Sequence, residues 1–362
     1  MPDSIEAVDL ERMDAALELA ARGWGQVSPN PLVGAVIYKD GVKVGEGFHA
    51  RFAAPHAEPQ AIAAAGEKAR GGTMYVNLEP CSHYGRNPPC VDAIIEAGIS
   101  RVVIAAPDPN PVAAGGAERL RSAGIQVNVG VREAEARELN ASFFHGVASD
   151  RPWVTLKLAM SLDGAIASFR RTREWMTGDL SVEMVQRMRA NRDAIAVGVE
   201  TAIADDPELT ARSNPPPRVS PLRVVFDRSA RLPATTQLAI TSRQVPTLLV
   251  TSYGVEIPEL LAERGVESLE AGDVDEALHK LQDRGVRSLL VEGGAGLAAS
   301  FLAANVVDRL VIFRAPIVLG EGALNAFSGV SPHDIAHAPR FELLESRSLG
   351  NDVVSVYARG GV

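Results

Sequence analysis

A histidine and a glutamate stand two positions apart at the predicted start of a helix, and two cysteines follow. His56 and Glu58 precede an alanine-rich segment, and Cys81 and Cys90 are the only cysteines among the 362 residues. One nitrogen and two sulfurs are good zinc ligands, and three protein ligands leave a fourth position for water, as in catalytic sites. The sequence therefore predicts a zinc site held by His56, Cys81 and Cys90.

Glu58 is predicted to carry protons rather than to bind the metal. Residues two apart on a helix point in nearly opposite directions, so His56 and Glu58 can address one metal only at the helix N-terminus. Zinc lowers the pKa of bound water to about 7. A nearby carboxylate can take the water's proton and return it to a leaving nitrogen. This chemistry is the hydrolytic deamination of an aminated heterocycle.

Other interpretations of these residues stay open at this point. Two cysteines alone are typical of buried apolar positions, and His83 would complete a structural zinc site as a fourth ligand. Zinc deaminases share H-x-E followed by P-C-x-x-C. "HAE" (56–58) and "EPC" (79–81) match that pattern, but the second cysteine follows nine residues later, in "PCSHYGRNPPC".

Composition excludes some classes of function. The net charge is −9, and no run of Lys and Arg suggests a broad nucleic-acid surface. No segment reaches about 18 uninterrupted apolar residues, so a membrane-spanning helix is not expected. The N-terminal residues lack the apolar stretch of a signal peptide, and the low cysteine content favours the cytoplasm.

Short predicted strands and helices alternate along the chain, which indicates α/β structure with largely parallel pairing. The segment "REAEARELNASFF" (132–144) is predicted as one helix. The polar stretch "HGVASDRP" (145–152) then interrupts the alternation. A chain of this length suits two domains, so we predict domains over residues 1–147 and 148–362.

The second domain lacks the G-x-G-x-x-G fingerprint of dinucleotide-binding folds. The segment "SLLVEGGAGLAASFL" (288–302) instead predicts a strand, a glycine pair and a helix. That arrangement aims free N–H groups at an anion such as a dinucleotide phosphate, although it also suits a simple tight turn. Polar residues in "AVGVETAIADDPELTAR" (196–212) directly follow a strand, where ligands gather in open α/β sheets.

Together these stretches resemble the bifunctional deaminase/reductase family of riboflavin biosynthesis. That family carries "HAE" and a "LEPCSHxGRTPPC"-like segment, and "NPLVGAV" (30–36) and "DPNP" (108–111) are similar to its pattern. The reductase half of the family resembles "RPWVTLKLAMSLDGAIA" (151–167), "TAIADDPELTAR" (201–212), "RVVFD" (223–227) and "VEGG" (291–294). The resemblance runs from about residue 11 to the C-terminus.

The resemblance implies an N-terminal cytidine-deaminase-like three-layer α/β/α domain and a C-terminal dihydrofolate-reductase-like α/β domain. The first would use one Zn²⁺ to deaminate 2,5-diamino-6-ribosylamino-4(3H)-pyrimidinone 5′-phosphate. The second would use NADPH to reduce the ribosyl side chain, giving 5-amino-6-(5-phosphoribitylamino)uracil. The family has a histidine at the position of His83 and still binds zinc with three ligands. We expect the phosphorylated pyrimidine as the binding partner, and we expect neither nucleic acid nor membrane. The chain is expected to form a homo-oligomer, either a dimer or a tetramer.

The resemblance also implies residue roles. In the deaminase half, the pyrimidine would meet Asn30, His49, Asp108 and Asn110, and its phosphate would meet Arg86. In the reductase half, the sugar-phosphate would meet Arg189, Leu209, Arg212, Glu292 and Arg173, the last standing where the family often has serine. NADPH would meet Met160, Trp175, Thr201, Asp205 and the loop residues Gly294, Ala295, Gly296, Leu297, Ala298, Ala299 and Ser300.

Several alternatives remain at the level of sequence. Asn30 and the "PDPNP" segment (107–111) also suit turns, Arg189 a solvated helix face, and Asp205 an exposed loop. A nucleobase or tRNA deaminase with an inactive reductase-like domain is one rival function. A zinc-stabilised binding protein without catalysis is another, and Glu58 distinguishes it from an enzyme. A chain in which only one half is active is the third.

Overall fold

A computed structural model describes residues 7–85, 87–171 and 174–359. The chain forms two compact units that divide between Ser149 and Asp150. The boundary predicted after residue 147 lies inside the last helix of the first unit. Within the described segments, no helix has the length and apolar character needed to cross a membrane.

In the described part of the first unit there are one five-stranded sheet and six α-helices. The helices are α1 (Ala7–Ala21), α2 (Ala57–Ala65), α3 (Cys90–Glu96), α4 (Gly116–Ser122), α5 (Glu133–Leu139) and α6 (Ala141–Ala148), and a 3₁₀ turn spans Gly66–Ala69. The strands are β1 (Gly34–Lys39), β2 (Val42–Phe48), β3 (Thr73–Leu78), β4 (Arg101–Ala106) and β5 (Gln126–Val129). Their order is β2-β1-β3-β4-β5; β1 is antiparallel to both neighbours, and β3, β4 and β5 are parallel.

Two apolar layers cover the two faces of this sheet. Strand side chains point alternately to opposite faces, so Ala35 and Ile37 pack with the buried residues of α2, α3 and α4. Val36, between them, packs with α1 and α5 on the other face. The unit is therefore a three-layer α/β/α sandwich, as the resemblance implies.

The helix predicted over 132–144 is two helices. α5 ends at Leu139 and α6 begins at Ala141, and α6 continues to Ala148 into the stretch predicted as a linker. Asn140 separates them, because its side chain binds the backbone of a distant segment: its Oδ1 accepts from Leu32 N at 2.7 Å and its Nδ2 donates to Leu32 O at 2.9 Å. Sequence periodicity could not reveal this tertiary contact.

The described part of the second unit has a nine-stranded sheet and a separate two-stranded sheet, eleven strands together. Its strands are β6 (Trp153–Met160), β7 (Ala165–Ala167), β8 (Ala194–Gly198), β9 (Leu222–Phe226), β10 (Thr247–Thr251), β11 (Glu267–Glu270), β12 (Ser288–Glu292), β13 (Arg309–Arg314), β14 (Leu324–Asn325), β15 (Phe341–Leu349) and β16 (Asp352–Arg359). Its helices are α7 (Asp179–Ala190), α8 (Val199–Asp205), α9 (Gln237–Ile240), α10 (Glu259–Glu263), α11 (Val274–Asp283) and α12 (Ala295–Ala303). β7 and β14 pair separately.

The sheet order is β11-β10-β9-β8-β12-β6-β13-β16-β15. All pairs up to β13 are parallel, and β16 and β15 add an antiparallel edge. Alternating residues of β8 again pack into different cores: Ala194 and Ala196 into one, Ile195 and Val197 into the other. The polar segment after β8 begins with the short helix α8, which the sequence did not predict.

Candidate active sites

Helix α2 lies directly against strand β2 because two glycines of the strand have no side chain. A Cβ at Gly45 would stand 2.3 Å from Ala61 O, and one at Gly47 would stand 2.5 Å from Ala57 O. Any larger residue would push the helix away from the sheet. This close approach fixes the start of α2, and with it His56 at the N-cap and Glu58 in the first turn.

Three potential metal ligands meet at this helix start. His56 Nδ1 lies 3.2 Å from Cys90 Sγ and 3.6 Å from Cys81 Sγ. A tetrahedral site with Zn–N of about 2.1 Å and Zn–S of about 2.3 Å has N–S edges of about 3.6 Å. The donor atoms of the trio all lie within 4.8 Å of one another. One nitrogen and two sulfurs at this spacing fit zinc.

Of the two thiols, Cys81 favours the thiolate before any cation is considered. A hydrogen bond from Cys90 holds the pKa of the Cys81 thiol low, at about 4, and the His56 side chain adds to the effect. The neighbouring Cys81 sulfur and burial raise the pKa of the Cys90 thiol. Cys90 also opens α3, a position that favours a thiolate, and a bound cation deprotonates coordinating thiols.

Glu58 lies beside these ligands in a closed environment. Its side chain is 3% exposed, and its buried Oε2 has no hydrogen-bond partner among the residues that the structure describes. Burial raises the pKa of this carboxyl, and the nearby Cys81 sulfur adds to the rise. A buried polar atom without a partner is rare in a protein interior. Glu58 is therefore positioned to exchange a proton with a molecule that enters the site.

His49 and Asn30 form a second polar pair next to the metal ligands. Asn30 Nδ2 lies 3.2 Å from His49 Nε2. The His49 ring meets the His56 ring edge-on at a centroid distance of 5.7 Å. Burial lowers the pKa of His49, which favours the neutral ring. The structure thus places His49 beside His56, with Asn30 bonded to it.

The loop after β4 carries Asp108 and Asn110, and Glu79 holds that loop. Glu79 Oε2 accepts from Asp108 N at 3.1 Å, and Oε1 accepts from Ala117 N at 2.9 Å. Asp108 Oδ1 caps Asn110 N, and Asn110 Oδ1 caps Val112 N. Both residues therefore also make the turn contacts that the sequence left as an alternative. Arg86 lies outside the described residues.

Two buried asparagines, which sequence reasoning missed as functional, hold the segment after Asn30. Asn77 Oδ1 accepts from Gly34 N at 2.8 Å, and its Nδ2 donates to Leu32 O at 2.9 Å. Asn140 binds the same carbonyl and Leu32 N. An asparagine in the middle of an apolar strand, as at 77, is the one sequence signal for such a contact, because a buried amide needs partners.

In the second unit, a cavity of about 1560 Å³ lies at the carboxyl ends of the parallel strands. Open α/β sheets bind ligands at this edge. Its lining includes eleven of the residues predicted to bind cofactor or substrate: Trp175, Arg189, Thr201, Asp205, Leu209, Glu292, Gly294, Ala295, Gly296, Leu297 and Ser300.

Four other predicted residues do not line the cavity. Met160, Ala298 and Ala299 are buried in the protein core. Arg212 is exposed and binds Glu208 Oε2 at 2.9 Å. Arg173 lies outside the described residues.

The glycine pair between β12 and α12 adopts a backbone that other residues rarely accept. Gly293 and Gly294 both have φ of 80°, a region open to glycine at little cost. A Cβ on Gly294 would also stand 2.8 Å from Thr201 Oγ1. The pair therefore turns the chain sharply and leaves the start of α12 open to the cavity, which suits an anion.

Arg189 and Glu292 pair with each other at the cavity wall. Arg189 Nε donates to Glu292 Oε1 at 2.5 Å and Nη2 to Oε2 at 2.8 Å. Burial raises the pKa of Glu292, but the Arg189 charge and its hydrogen bonds outweigh burial and lower it overall. Arg189 is thus neither free nor on a solvated helix face.

The cavity also contains charged residues that sequence reasoning missed. Lys157 lines it from β6, and burial lowers the pKa of its ammonium group. Arg228 and Arg231 line it from the loop after β9. The position of "RVVFDRSAR" after an apolar strand was the available signal, since the ends of parallel strands meet at one edge. Lys157 lies within β6 rather than after it, so the sequence contained no comparable signal that it faces the cavity.

Comparisons with known proteins cover both units. Residues 7–106 match the cytidine and deoxycytidylate deaminase zinc-binding region, and residues 152–355 match the RibD C-terminal domain. The riboflavin biosynthesis protein RibD of Aquifex aeolicus is 41% identical, over 98% of this chain and 99% of its own. That of Escherichia coli is 40% identical, over 94% and 96%.

Solved structures agree over almost the full length. Acinetobacter baumannii RibD is 38% identical with a TM-score of 0.84, covering 98% of this chain and 99% of its own. The Thermotoga maritima diaminohydroxyphosphoribosylaminopyrimidine deaminase/5-amino-6-(5-phosphoribosylamino)uracil reductase is 37% identical with a TM-score of 0.86, covering 97% and 99%. These matches confirm the predicted deaminase and reductase halves. The chain therefore belongs to the RibD family of bifunctional riboflavin-biosynthesis enzymes, in which a zinc-dependent deaminase precedes a reductase.

Proposed function

We propose that His56, Cys81 and Cys90 hold the zinc ion of the deaminase and that Glu58 moves the protons of its reaction. The observation that carries this assignment is the buried, unpartnered Oε2 of Glu58 beside the three ligands. A Zn²⁺ ion held there would supply a water nucleophile of lowered pKa. The Glu58 carboxylate would accept a proton from the attacking water and deliver it to the leaving nitrogen. A C–O bond forms, the C–N bond breaks, and ammonia leaves.

We infer that the pyrimidine is held by the polar pair beside the metal ligands. Asn30 would hydrogen-bond its ring edge, because the contact with His49 uses only the Asn30 Nδ2. The His49 ring, whose Nδ1 faces Pro55 O at 3.3 Å, would lie against the pyrimidine. Asp108 and Asn110 would contact it from the loop that Glu79 holds, and Arg86 would contact its phosphate. The substrate is the diaminopyrimidinone carrying ribose 5′-phosphate, and the product is the corresponding uracil.

We infer that the cavity of the second unit binds NADPH along its glycine-turn side. Gly294, Ala295, Gly296, Leu297 and Ser300 would face the dinucleotide phosphates, with Trp175, Thr201 and Asp205 along the same cavity. Met160, Ala298 and Ala299 would support this loop from beneath, since they are buried. NADPH supplies the hydride for the reduction.

The remaining wall of the cavity is assigned to the sugar-phosphate. Leu209 and the Arg189–Glu292 pair line it, Arg212 would reach the phosphate from the loop, and Arg173 would approach from the segment before Trp175. Reduction adds a hydride to the ribosyl C1′ and breaks its bond to the ring oxygen, which takes up a proton. Lys157 is our candidate for that proton's donor, because burial lowers the pKa of its ammonium group and so makes it a stronger acid.

We also infer a cytoplasmic location and self-association. The two ligand thiols require a reducing compartment. Self-association into a dimer or tetramer is supported by the edge strand β15, where Leu343 and Leu344 are 58% and 47% exposed. Measurement of the mass in solution tests the second inference.

The decisive assay supplies the diaminopyrimidine substrate with and without NADPH, and follows ammonia release and NADPH oxidation together. We expect ammonia release without NADPH, and NADPH oxidation only after deamination. NADPH oxidation without prior ammonia release would contradict the proposed order. Ammonia release with no oxidation would show that the second unit is not an active reductase.

A further inference from the structure

Arg223 is a fully buried arginine in the middle of strand β9. Its side chain has no exposed surface. All four of its hydrogen bonds go to uncharged oxygens: Glu208 O at 3.1 Å, Thr241 Oγ1 at 2.8 Å, Leu238 O at 3.1 Å and Val245 O at 2.5 Å.

Such an arginine is expensive for a protein to keep in its interior. A buried charge is unfavourable, and the Glu208 charge offsets only part of the effect of burial on Arg223. An apolar side chain of similar volume often serves a core as well or better. Burial lowers the pKa of the Arg223 guanidinium to about 10, yet this leaves it charged at neutral pH. What the arginine provides, and an apolar residue cannot, is a set of directed bonds to three separate segments.

One of these segments is the loop that follows α8, which we call the substrate loop (206–210). Arg223 holds its Glu208 carbonyl, and Arg189 Nη1 holds the Thr210 carbonyl at 3.1 Å. Leu209 stands between the two held carbonyls, with φ of 48° and 2% exposure, and lines the cavity. Two arginines therefore fix the loop on either side of its cavity-facing residue.

The other two segments are helix α9 and the turn that follows it. Leu238 and Thr241 stand at this helix, and Val245 precedes β10. The start of α9 binds the substrate loop a second time, because Gln237 N donates to Asp206 Oδ1 at 2.7 Å. The loop is thus joined to α9 at both ends of the helix, through Asp206 at the start and through Arg223 at the end.

We propose that Arg223 is a positioning residue of the reductase, which clamps the substrate loop against α9. The clamp keeps Leu209 and the Arg189–Glu292 pair facing the sugar-phosphate. Arg223 itself does not contact the substrate. This inference rests on the proposed assignment of that wall of the cavity to the substrate. Of the residues assigned to NADPH, Trp175 precedes α7, Thr201 and Asp205 lie on α8, and the others follow β12. None of them accepts a hydrogen bond from Arg223, so the clamp acts more on the pyrimidine than on NADPH.

The test compares Arg223→Met and Arg223→Lys with the natural chain, using the deaminated pyrimidine and NADPH. Arg223→Met loses all four bonds at similar volume, and we expect the KM for the pyrimidine to rise about tenfold. Lysine keeps the charge but has one nitrogen in place of the two that Arg223 uses. The pyrimidine KM of Arg223→Lys should therefore lie between those of the natural chain and Arg223→Met. The KM for NADPH should change less than about twofold in both variants.

Arg243→Met is the matched control, because Arg243 is an exposed arginine that binds a backbone carbonyl, Glu263 O, at 2.7 Å. It should leave both KM values unchanged. If Arg223→Met raises the two KM values equally, or neither, Arg223 is only structural and the proposal is wrong. Failure of the natural chain to oxidise NADPH would instead refute the proposed function.

Asp206→Ala covers the case in which both Arg223 variants fail to fold. Asp206 is exposed, and its removal releases the other attachment of the loop to α9. We expect the pyrimidine KM to rise about threefold, with the NADPH KM unchanged. An unchanged pyrimidine KM in a folded Asp206→Ala protein would overturn the clamp.

Discussion

Arg189 and Glu292 form a two-point ion pair although 103 positions separate them in the chain. The side chains are 13% and 9% exposed, and the two parallel hydrogen bonds are 2.5 and 2.8 Å long. A bidentate pair fixes orientation as well as distance. The pair therefore joins the end of α7 to the end of β12, at the point where both reach the cavity.

Removing both members of this pair should cost less stability than the two single removals added together. Arg189→Met or Glu292→Gln leaves the partner without its counter-charge, and each should lower the free energy of unfolding by about 3 kcal/mol. The double variant should lose less than the sum of the two. Urea unfolding of the three variants measures the coupling, and strictly additive losses would contradict it. NADPH oxidation should fall in all three.

Replacing Glu58 with glutamine should separate zinc binding from catalysis. Glu58→Gln keeps the size of the side chain but removes the proton acceptor, so ammonia release should fall by about 10²–10⁴-fold. Zinc content should stay at that of the natural chain, because the three ligands are intact. Glu67→Gln, at an exposed glutamate in the 3₁₀ turn that follows α2, is the control and should keep full activity. Normal turnover by Glu58→Gln would exclude the proposed mechanism.

Removing zinc with a chelator should stop the first reaction and spare the second. Ammonia release should be lost, and should return when Zn²⁺ is restored. NADPH oxidation with a pyrimidine that is already deaminated should remain, because the described cavity residues include no part of the metal trio. A parallel loss of both activities would contradict the assignment of the metal to the deaminase alone.

Asp163 should make the stability of the second unit sensitive to acid. The Ser161 hydroxyl and the N–H groups of Gly320 and Leu319 lower the pKa of the Asp163 carboxyl from 3.8 to about 2. A folded-state pKa below the unfolded one gives stability that is present above pH 3.8 and is lost as the pH falls towards 2. The sign follows because the unfolded chain binds the proton first.

The difference in urea midpoint between the natural chain and Asp163→Asn should therefore shrink as the pH falls below 3.8. Asp283→Asn, at an exposed aspartate ending α11, serves as the control. A difference that stays constant across this range would show that the ionised carboxylate does not hold Leu319 and Gly320.

Some of the site follows from residue chemistry alone. Histidine and cysteine are the residue types that bind zinc through N and S atoms, so residue type predicts His56, Cys81 and Cys90 as ligands. Glu58 lies within the same short motif, and its spacing from His56 predicts its role. The glycine pair at 293–294 is likewise local, because only glycine readily adopts that backbone. The α/β alternation also follows from short-range patterns of apolar residues.

Other features depend on contacts that no local pattern contains. Asn77 and Asn140 both hold Leu32, Arg189 holds Glu292, and Arg223 holds the substrate loop. In each case a polar group binds a residue in a different segment of the chain, often tens of positions away. Strand order and register set such pairs, because they decide which distant residues become neighbours. The sequence by itself determined the zinc chemistry and the two α/β units; only the tertiary structure decided which polar residues hold the loops that face the ligands, because a buried hydrogen bond requires both partners in place.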